Sequence, residues 1–181
     1  MNEKIDVLNE LGEFTGDVAT IDECHSTGYW HRAVYAFIVD KDLNVLLQKR
    51  SGNKKLWPGK WDVTVGGHVK SGEFGRQALI RECKEELGID IEIKKYVYEV
   101  KGKDFVQHFF LIRRTAGEIG TGNPEEYDVN RKGGIQIPMF VSIDKLKSLN
   151  VVSPPIVSQF LEDYSNFGSN MDSTSKIIED Y

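Results

Sequence analysis

The stretch RECKEELG, Arg81 to Gly88, sets three glutamates, Glu82, Glu85 and Glu86, within five residues of a segment of helical composition. Its pattern predicts a helix from about Glu73 to Leu87 that stops at Gly88, a residue suited to the left-handed position past a helix end. At about 100° per residue the three carboxylates share an arc of roughly 100°, and Leu79, Ile80, Cys83 and Leu87 fill the neighbouring arc. One face packs and the next is anionic. Like charges at these spacings repel by roughly 0.2–0.5 kcal/mol per pair unless something positive covers them. On this wheel Arg81 and Lys84 project elsewhere and do not cancel the cluster. Two accounts remain: a solvated charged face, or a site for a divalent cation such as Mg²⁺, which takes oxygen ligands from a few carboxylates, phosphate and water.

Upstream of the helix, Ala33–Val39 and Asn44–Arg50 are β-favouring runs joined by Asp40-Lys41-Asp42-Leu43, so an antiparallel pair is expected. A lysine-rich loop, Ser51–Lys60, leads to a short strand over Trp61–Val65, and the chain is expected to turn sharply at Gly66-Gly67. Downstream, Ile91–Val100 and Phe105–Arg114 read as strands, Gly117–Gly134 as a long polar excursion, and Ile135–Ser142 as a strand whose Pro138 marks an edge or bulge. Helices follow over Ser142–Leu149 and Pro154–Tyr164. The residues from Ser165 to Tyr181 are expected to form a loosely held polar tail. Strands in the middle with helices between and after them give an α+β layered domain, helices on both sides of a mixed sheet.

The chain of 181 residues is 40% hydrophobic and 28% charged, which fits one globular domain. A net charge of −5 excludes the broad basic surface that a sequence-independent grip on nucleic acid requires. No run approaches the length of a membrane span, and the N-terminus has no apolar core of signal-peptide length, so a cytoplasmic location is expected. Cys24 and Cys83, far apart and without metal-type spacing, are expected to be free thiols.

From Gly67 to Ile89 the chain reads Gly-x5-Glu-x7-Arg-Glu-Cys-x-Glu-Glu-Leu-Gly-Ile. This resembles the full Nudix box, with Cys83 where that family has an apolar residue. The resemblance implies a Nudix αβα sandwich with a mixed central sheet, a core at about residues 30–164, an N-terminal extension at 1–29 and the tail at 165–181. It also implies Glu82, Glu85 and Glu86 as metal ligands with the Gly66 carbonyl as a further one, Mg²⁺ or alternatively Mn²⁺ as the ion, and Glu73 and Arg81 as residues that support the site. The implied chemistry is attack of water at phosphorus in a small-molecule diphosphate, often a nucleoside diphosphate derivative. A homodimer is in keeping with many relatives. A base on a loop after the box is usual in such enzymes, and Glu125 and Glu126, above all Glu126, stand in that place; a solvated acidic loop is the other account of them.

The residues around the box, CHSTGYWHRAVYAFI from Cys24 and the WPGKW segment at Trp57–Trp61, resemble the type 1 isopentenyl diphosphate isomerase branch. His25, His31 and His68 stand where that isomerase has metal-binding histidines. Its catalytic cysteine, however, corresponds to Gly66, and Asp104 and Val106 stand at two of its glutamate positions. Glycine transfers no proton, so the isomerase is the alternative and hydrolysis the main expectation. Without those partners the three histidines are taken first as ordinary hydrogen-bonding groups and second as a metal site. Among the loop cations, Arg50 and then Lys55 are the candidates for diphosphate contact, because a guanidinium fork matches phosphate oxygens. Trp57, Phe105 and Phe109 are candidates to stack on a ring, or are core. A binding module without turnover is a third possibility, set against by the intact acidic positions.

Overall fold

His31–Val39 (β3) is the strand on which the architecture hangs, buried at most of its nine positions. In the computed structural model, which describes residues 3–50, 57–120, 122, 137–151, 154–168 and 176–179, it runs parallel to β8 (Phe105–Ala116) from His31↔Phe105 to Val39↔Arg113. Along its other edge, residues 33–37 pair antiparallel with β6 (Thr64–His68), and Val39 pairs with Val45 of β4 (Val45–Lys49). The connection from β3 to β4 is held by Asp40, whose Oδ1 accepts from the backbone N–H groups of Asp42 at 2.8 Å and Asn44 at 2.9 Å. That side-chain turn lets Leu43 take φ 64°.

Beyond β8 lies β7 (Asp90–Lys101), antiparallel to it, and β4 also pairs with β5 (Trp61–Asp62) and β9 (Ile137–Val141). The result is a mixed eight-stranded sheet. Successive residues of β3 feed opposite cores, as strand geometry requires. Phe37 and Val39 pack with Leu146 of α3 (Ile143–Leu146) and with Phe160 of α4 (Pro154–Phe167), whose ring stacks on Phe37 at 3.8 Å. Val34, Ala36 and Ile38 pack with Leu79, Cys83 and Leu87 of the glutamate-bearing segment. Each fully buried Phe or Leu side chain contributes about 1.5–3 kcal/mol. Helices on both faces make this the expected α+β sandwich. Within it, the Tyr98 hydroxyl donates to Asp163 Oδ2 at 2.7 Å in a buried bond, tying α4 to β7.

Three expectations are corrected, and one element is added. The chain does not turn at Gly66-Gly67; both are inside β6, opposite Tyr35 and Val34, and the strand ends at His68. The helix begins at Gly75 rather than Glu73, and only Gly75–Glu82 (α2) is α-helical; Cys83–Leu87 is a π turn that ends on Gly88 at φ 75°. The tail is not wholly loose, since α4 runs to Phe167 and Lys176–Glu179 (β10) pairs in parallel with Tyr98–Lys101. The N-terminal extension is folded onto the core: β1 (Lys4–Leu8) and β2 (Phe14–Thr20) form a hairpin, followed by α1 (Ile21–Thr27). Leu8 N–H donates to the Trp30 carbonyl, Ser71 N–H to the Lys4 carbonyl, and Arg32 Nη2 to the Gly12 carbonyl. A Thr20–Glu23 capping box starts α1, and Cys24 is buried against Ile5 and Ala19. Among the described residues no helix is long and apolar enough to cross a membrane.

Candidate active site

Arg81 lies across the glutamates instead of pointing away from them. Its Nε and Nη2 donate to the two oxygens of Glu73 at 3.0 and 2.9 Å, and its Nη1 donates to Glu82 Oε1 at 2.6 Å and Glu85 Oε2 at 3.2 Å. Nη2 also reaches the carbonyl of His68 at 3.1 Å. The π turn explains why a wheel drawn at 100° per residue misplaces this part of the chain: i→i+5 hydrogen bonding widens the turn from Cys83 onward. Cys83 and Leu87 stay fully buried, Glu86 is half-buried and Glu85 is exposed. Lys84 pairs with Asp90.

The electrostatics of the cluster favour added positive charge. Burial raises the Glu82 carboxyl above its ordinary value against the opposing hydrogen bond of Arg81, and Glu85 and Glu3 raise it further. Glu73 goes the other way: burial is outweighed by the Arg81 fork and the backbone N–H of Lys70, and its carboxyl is lowered. For Arg81, burial is likewise outweighed by Glu73 and Glu82, which hold it protonated. One guanidinium is thus shared among three carboxylates, and it does not relieve the most buried of its acceptors at Glu82.

Two glycines bring backbone up to this cluster. A Cβ on Gly67 would lie 2.5 Å from Glu82 Oε1, so only glycine lets that carboxylate rest on the strand. At Gly66 a Cβ would collide with the Val34 carbonyl oxygen and come within 2.8 Å of the Tyr35 Cα. On the other side, Gly120 N–H donates to the Leu87 carbonyl at 3.1 Å, and Gly122 sits where a Cβ would be 2.5 Å from the Glu85 carbonyl oxygen. The loop after β8 therefore passes along the π turn just before residue 123. Glu125 and Glu126 lie outside the described residues, as does Lys55.

His25, His31 and His68 come together from α1, β3 and β6, with ring centroids 5.2–5.3 Å apart. Among the described residues theirs is the cluster whose metal-binding atoms all lie within 4.8 Å of one another. His31 Nδ1 lies 2.9 Å from the Tyr29 carbonyl; as the donor there, it leaves Nε2 as the lone-pair nitrogen. Burial first, then His31 and His25, lowers His68 to about 4. The N-terminal hairpin links the two clusters, because Lys70 pairs with Glu3 and the Glu3 charge acts on both His68 and Glu82.

Arg50 Nη1 donates to Asp62 Oδ2 at 3.0 Å, so its guanidinium is positioned by a carboxylate. Trp57 is exposed with the Lys60 ammonium 4.5 Å above its ring, Phe105 is half-buried, and Phe109 is core and unavailable for stacking on a ligand. Cys24 and Cys83 are free and buried, and burial raises both thiols, so neither replaces the thiol missing at Gly66. The sequence reading did not single out Asp62 or the structured N-terminus. For the last a signal was present in Thr20-Ile21-Asp22-Glu23, a capping-box pattern.

The donors near α2 are carboxylates and backbone carbonyls, which suit a hard divalent ion; the imidazoles suit a borderline transition metal. The NUDIX domain family model matches residues 29–160. Nudix hydrolase 3 of Arabidopsis thaliana is 41% identical over 90 residues, 49% of this chain and 12% of that protein. Isopentenyl-diphosphate Delta-isomerase 2 of Aromatoleum aromaticum is 34% identical over 106 residues, 56% of this chain and 53% of that one. The chain thus spans an eighth to about half of the length of these relatives. The crystal structure of DR0079 from Deinococcus radiodurans superposes with a TM-score of 0.62 at 20% identity, covering 88% of this chain and 98% of that chain, a likeness of fold. The box, the sandwich and the family match together make this chain a member of the NUDIX family, near its isopentenyl-diphosphate isomerase branch.

Proposed function

We propose that the protein is a Mg²⁺-dependent hydrolase, acting in the cytoplasm, that cleaves the diphosphate linkage of a small molecule such as a nucleoside diphosphate derivative. The observation that carries this reading is the sharing of one guanidinium among Glu73, Glu82 and Glu85, with Glu82 left short of positive charge. Glu82, Glu85 and Glu86, with the Gly66 carbonyl, would hold the ion. Mg²⁺ when bound neutralises phosphate charge and lowers the pKa of the attacking water.

The chain's own residues divide the remaining work. Glu73 fixes Arg81, and Arg81 fixes the carboxylates of Glu82 and Glu85. Arg50, aligned by Asp62, takes phosphate oxygens, with Lys55 as the second candidate. Glu125 and Glu126, which follow Gly122 in the sequence, are the candidates for the base, Glu126 being preferred. Isomerisation is disfavoured by Gly66, whose backbone admits no thiol-bearing side chain.

Incubation with nucleotide sugars, dinucleotides, oxidised nucleotides, coenzyme A and prenyl diphosphates in ¹⁸O-water tests this. Mg²⁺-dependent cleavage with label in a phosphoryl product supports it; tight binding without cleavage across the panel favours a binding module, and isotope exchange into isopentenyl diphosphate favours the isomerase. The convergence of His25, His31 and His68 supports a second, transition-metal position, which retention of metal after dialysis by the wild type and its loss in His68→Asn would establish.

A further inference from the structure

Val39 and Leu111 are buried members of the core under α3 and α4, and both also line a cavity of about 310 Å³ at the far end of β3 from His31. That volume is at the lower end of the range for small-ligand pockets. The cavity is separate from the box. Glu82 rests against Gly67, opposite Val34, whose side chain packs on the other face of the sheet. From Val34 to Val39 the strand advances roughly 17 Å at about 3.3 Å per residue.

Cations line this cavity from three elements: Lys41 from the turn after β3, Arg113 from β8, and Lys94 and Lys95 from β7. Successive strand residues ordinarily point to opposite faces. Here the β7·β8 register slips between Ile93 and Lys95, with Lys94 as the extra residue of a bulge, and so two consecutive lysines line one cavity. Glu92 accepts from Lys94 at 2.7 Å and from Arg113 Nη2 at 2.9 Å, so one carboxylate holds two of the cations in place. The Asp40 carboxylate is turned into its own loop, accepting from the backbone N–H groups of Asp42 and Asn44 and from Asn44 Nδ2. Four cations against these two carboxylates leave an excess of two positive charges, in a chain whose net charge is −5.

The cavity also has an apolar wall. Leu43 lines it, is 48% exposed and holds φ 64°, a conformation in which a bulky side chain is strained. The Asp40 turn thus keeps an apolar side chain beside the cations instead of in the core. We propose that this cavity is a binding site for a phosphate monoester that carries an apolar group. Such a phosphate bears roughly two negative charges near neutral pH, which matches the local excess. The Arg113 guanidinium, oriented by Glu92, takes phosphate oxygens with Lys41, Lys94 and Lys95, and Leu43 covers the apolar group.

The test is calorimetric titration of the full chain with phenyl phosphate in EDTA, which keeps divalent ions from the box, with inorganic phosphate and benzoate as comparisons. One phenyl phosphate is expected to bind per chain, and more tightly than benzoate. Arg113→Gln should weaken it about tenfold, the effect of losing one hydrogen bond to a charged group, and Lys95→Gln by a similar factor. Leu43→Ala should weaken phenyl phosphate and leave inorganic phosphate unchanged. In the wild type the Leu43 methyl resonances should shift during the titration, a readout that needs no variant to fold. Absence of phenyl phosphate binding, unmoved Leu43 methyls, or wild-type affinity in both Arg113→Gln and Lys95→Gln overturns the site; equal affinity for benzoate overturns the choice of phosphate. Diphosphate cleavage in Mg²⁺ should keep its wild-type rate in these variants, so the site and the hydrolase reading stand or fall separately.

Discussion

Arg81 closes its guanidinium fork on Glu73, with Nε at 3.0 Å and Nη2 at 2.9 Å from the two carboxylate oxygens, eight residues away across the entry to α2. The remaining nitrogen reaches Glu82 and Glu85, so the geometry of the box glutamates depends on a pair that need not itself touch substrate. Arg81→Lys keeps the charge and loses the fork. It is expected to lower apparent Mg²⁺ affinity, and with it kcat/KM, by about 10–100-fold, the usual effect of removing a residue that orients ligands. Steady-state rates across a Mg²⁺ titration check this, and an unchanged titration midpoint would assign Arg81 to folding alone.

Gly66 is expected to reject any side chain. Gly66→Cys, which supplies the thiol the isomerase uses, should destabilise the protein by about 1–3 kcal/mol or more as Val34 and Tyr35 are displaced. It should show no hydrogen exchange into isopentenyl diphosphate. Denaturant unfolding and mass spectrometry of the recovered diphosphate measure the two effects; a stable variant that exchanges hydrogen would contradict both expectations and favour the isomerase alternative.

Two tyrosines of the α4 layer are expected to respond in opposite ways to loss of the hydroxyl. Tyr98→Phe removes a buried bond to a carboxylate and should cost about 1.5–3 kcal/mol. Among the described residues the buried Tyr164 hydroxyl has no hydrogen-bond partner, so Tyr164→Phe should be neutral or stabilising. Urea midpoints at constant m-value distinguish these outcomes.

Stability in chelator is expected to fall on acidification from about pH 6.5 towards pH 4. The folded state keeps His68 neutral down to about 4, whereas the unfolded chain protonates it near its ordinary value of about 6.5. Between those limits the unfolded state binds the extra proton, so stability is present above the window and lost as pH drops through it. His108, lowered chiefly by burial, acts in the same sense. His68→Asn should flatten the profile of urea midpoint against pH, and an unaltered slope would remove His68 as a cause.

The strands and the box were legible because their signals are local: β-branched runs alternate along β3 and β8, and the glutamates repeat at helical spacing. What escaped were effects set by distant partners. The direction of Arg81 depends on Glu73, and the placement of Glu85 and Glu86 on a π turn that no residue type announces. Continuation of β6 through Gly66-Gly67 depends on β3, which uses the glycines for close backbone approach where sequence alone suggests a turn. The meeting of His25 with His31 and His68 depends on a hairpin that places α1 beside β3. Pairing of Lys176–Glu179 with β7 overrides a polar composition that reads as tail.

The central claim is that Glu85 and Glu86 meet a cation and, through it, a diphosphate. Its most direct test is the initial rate of diphosphate cleavage at saturating Mg²⁺ for Glu85→Gln and Glu86→Gln against the wild type, with melting temperatures measured on the same samples. The account predicts that each variant loses at least about 100-fold in kcat, the scale of a lost electrostatic contact in a transition state, with its melting temperature held. Wild-type rates in both variants would contradict it.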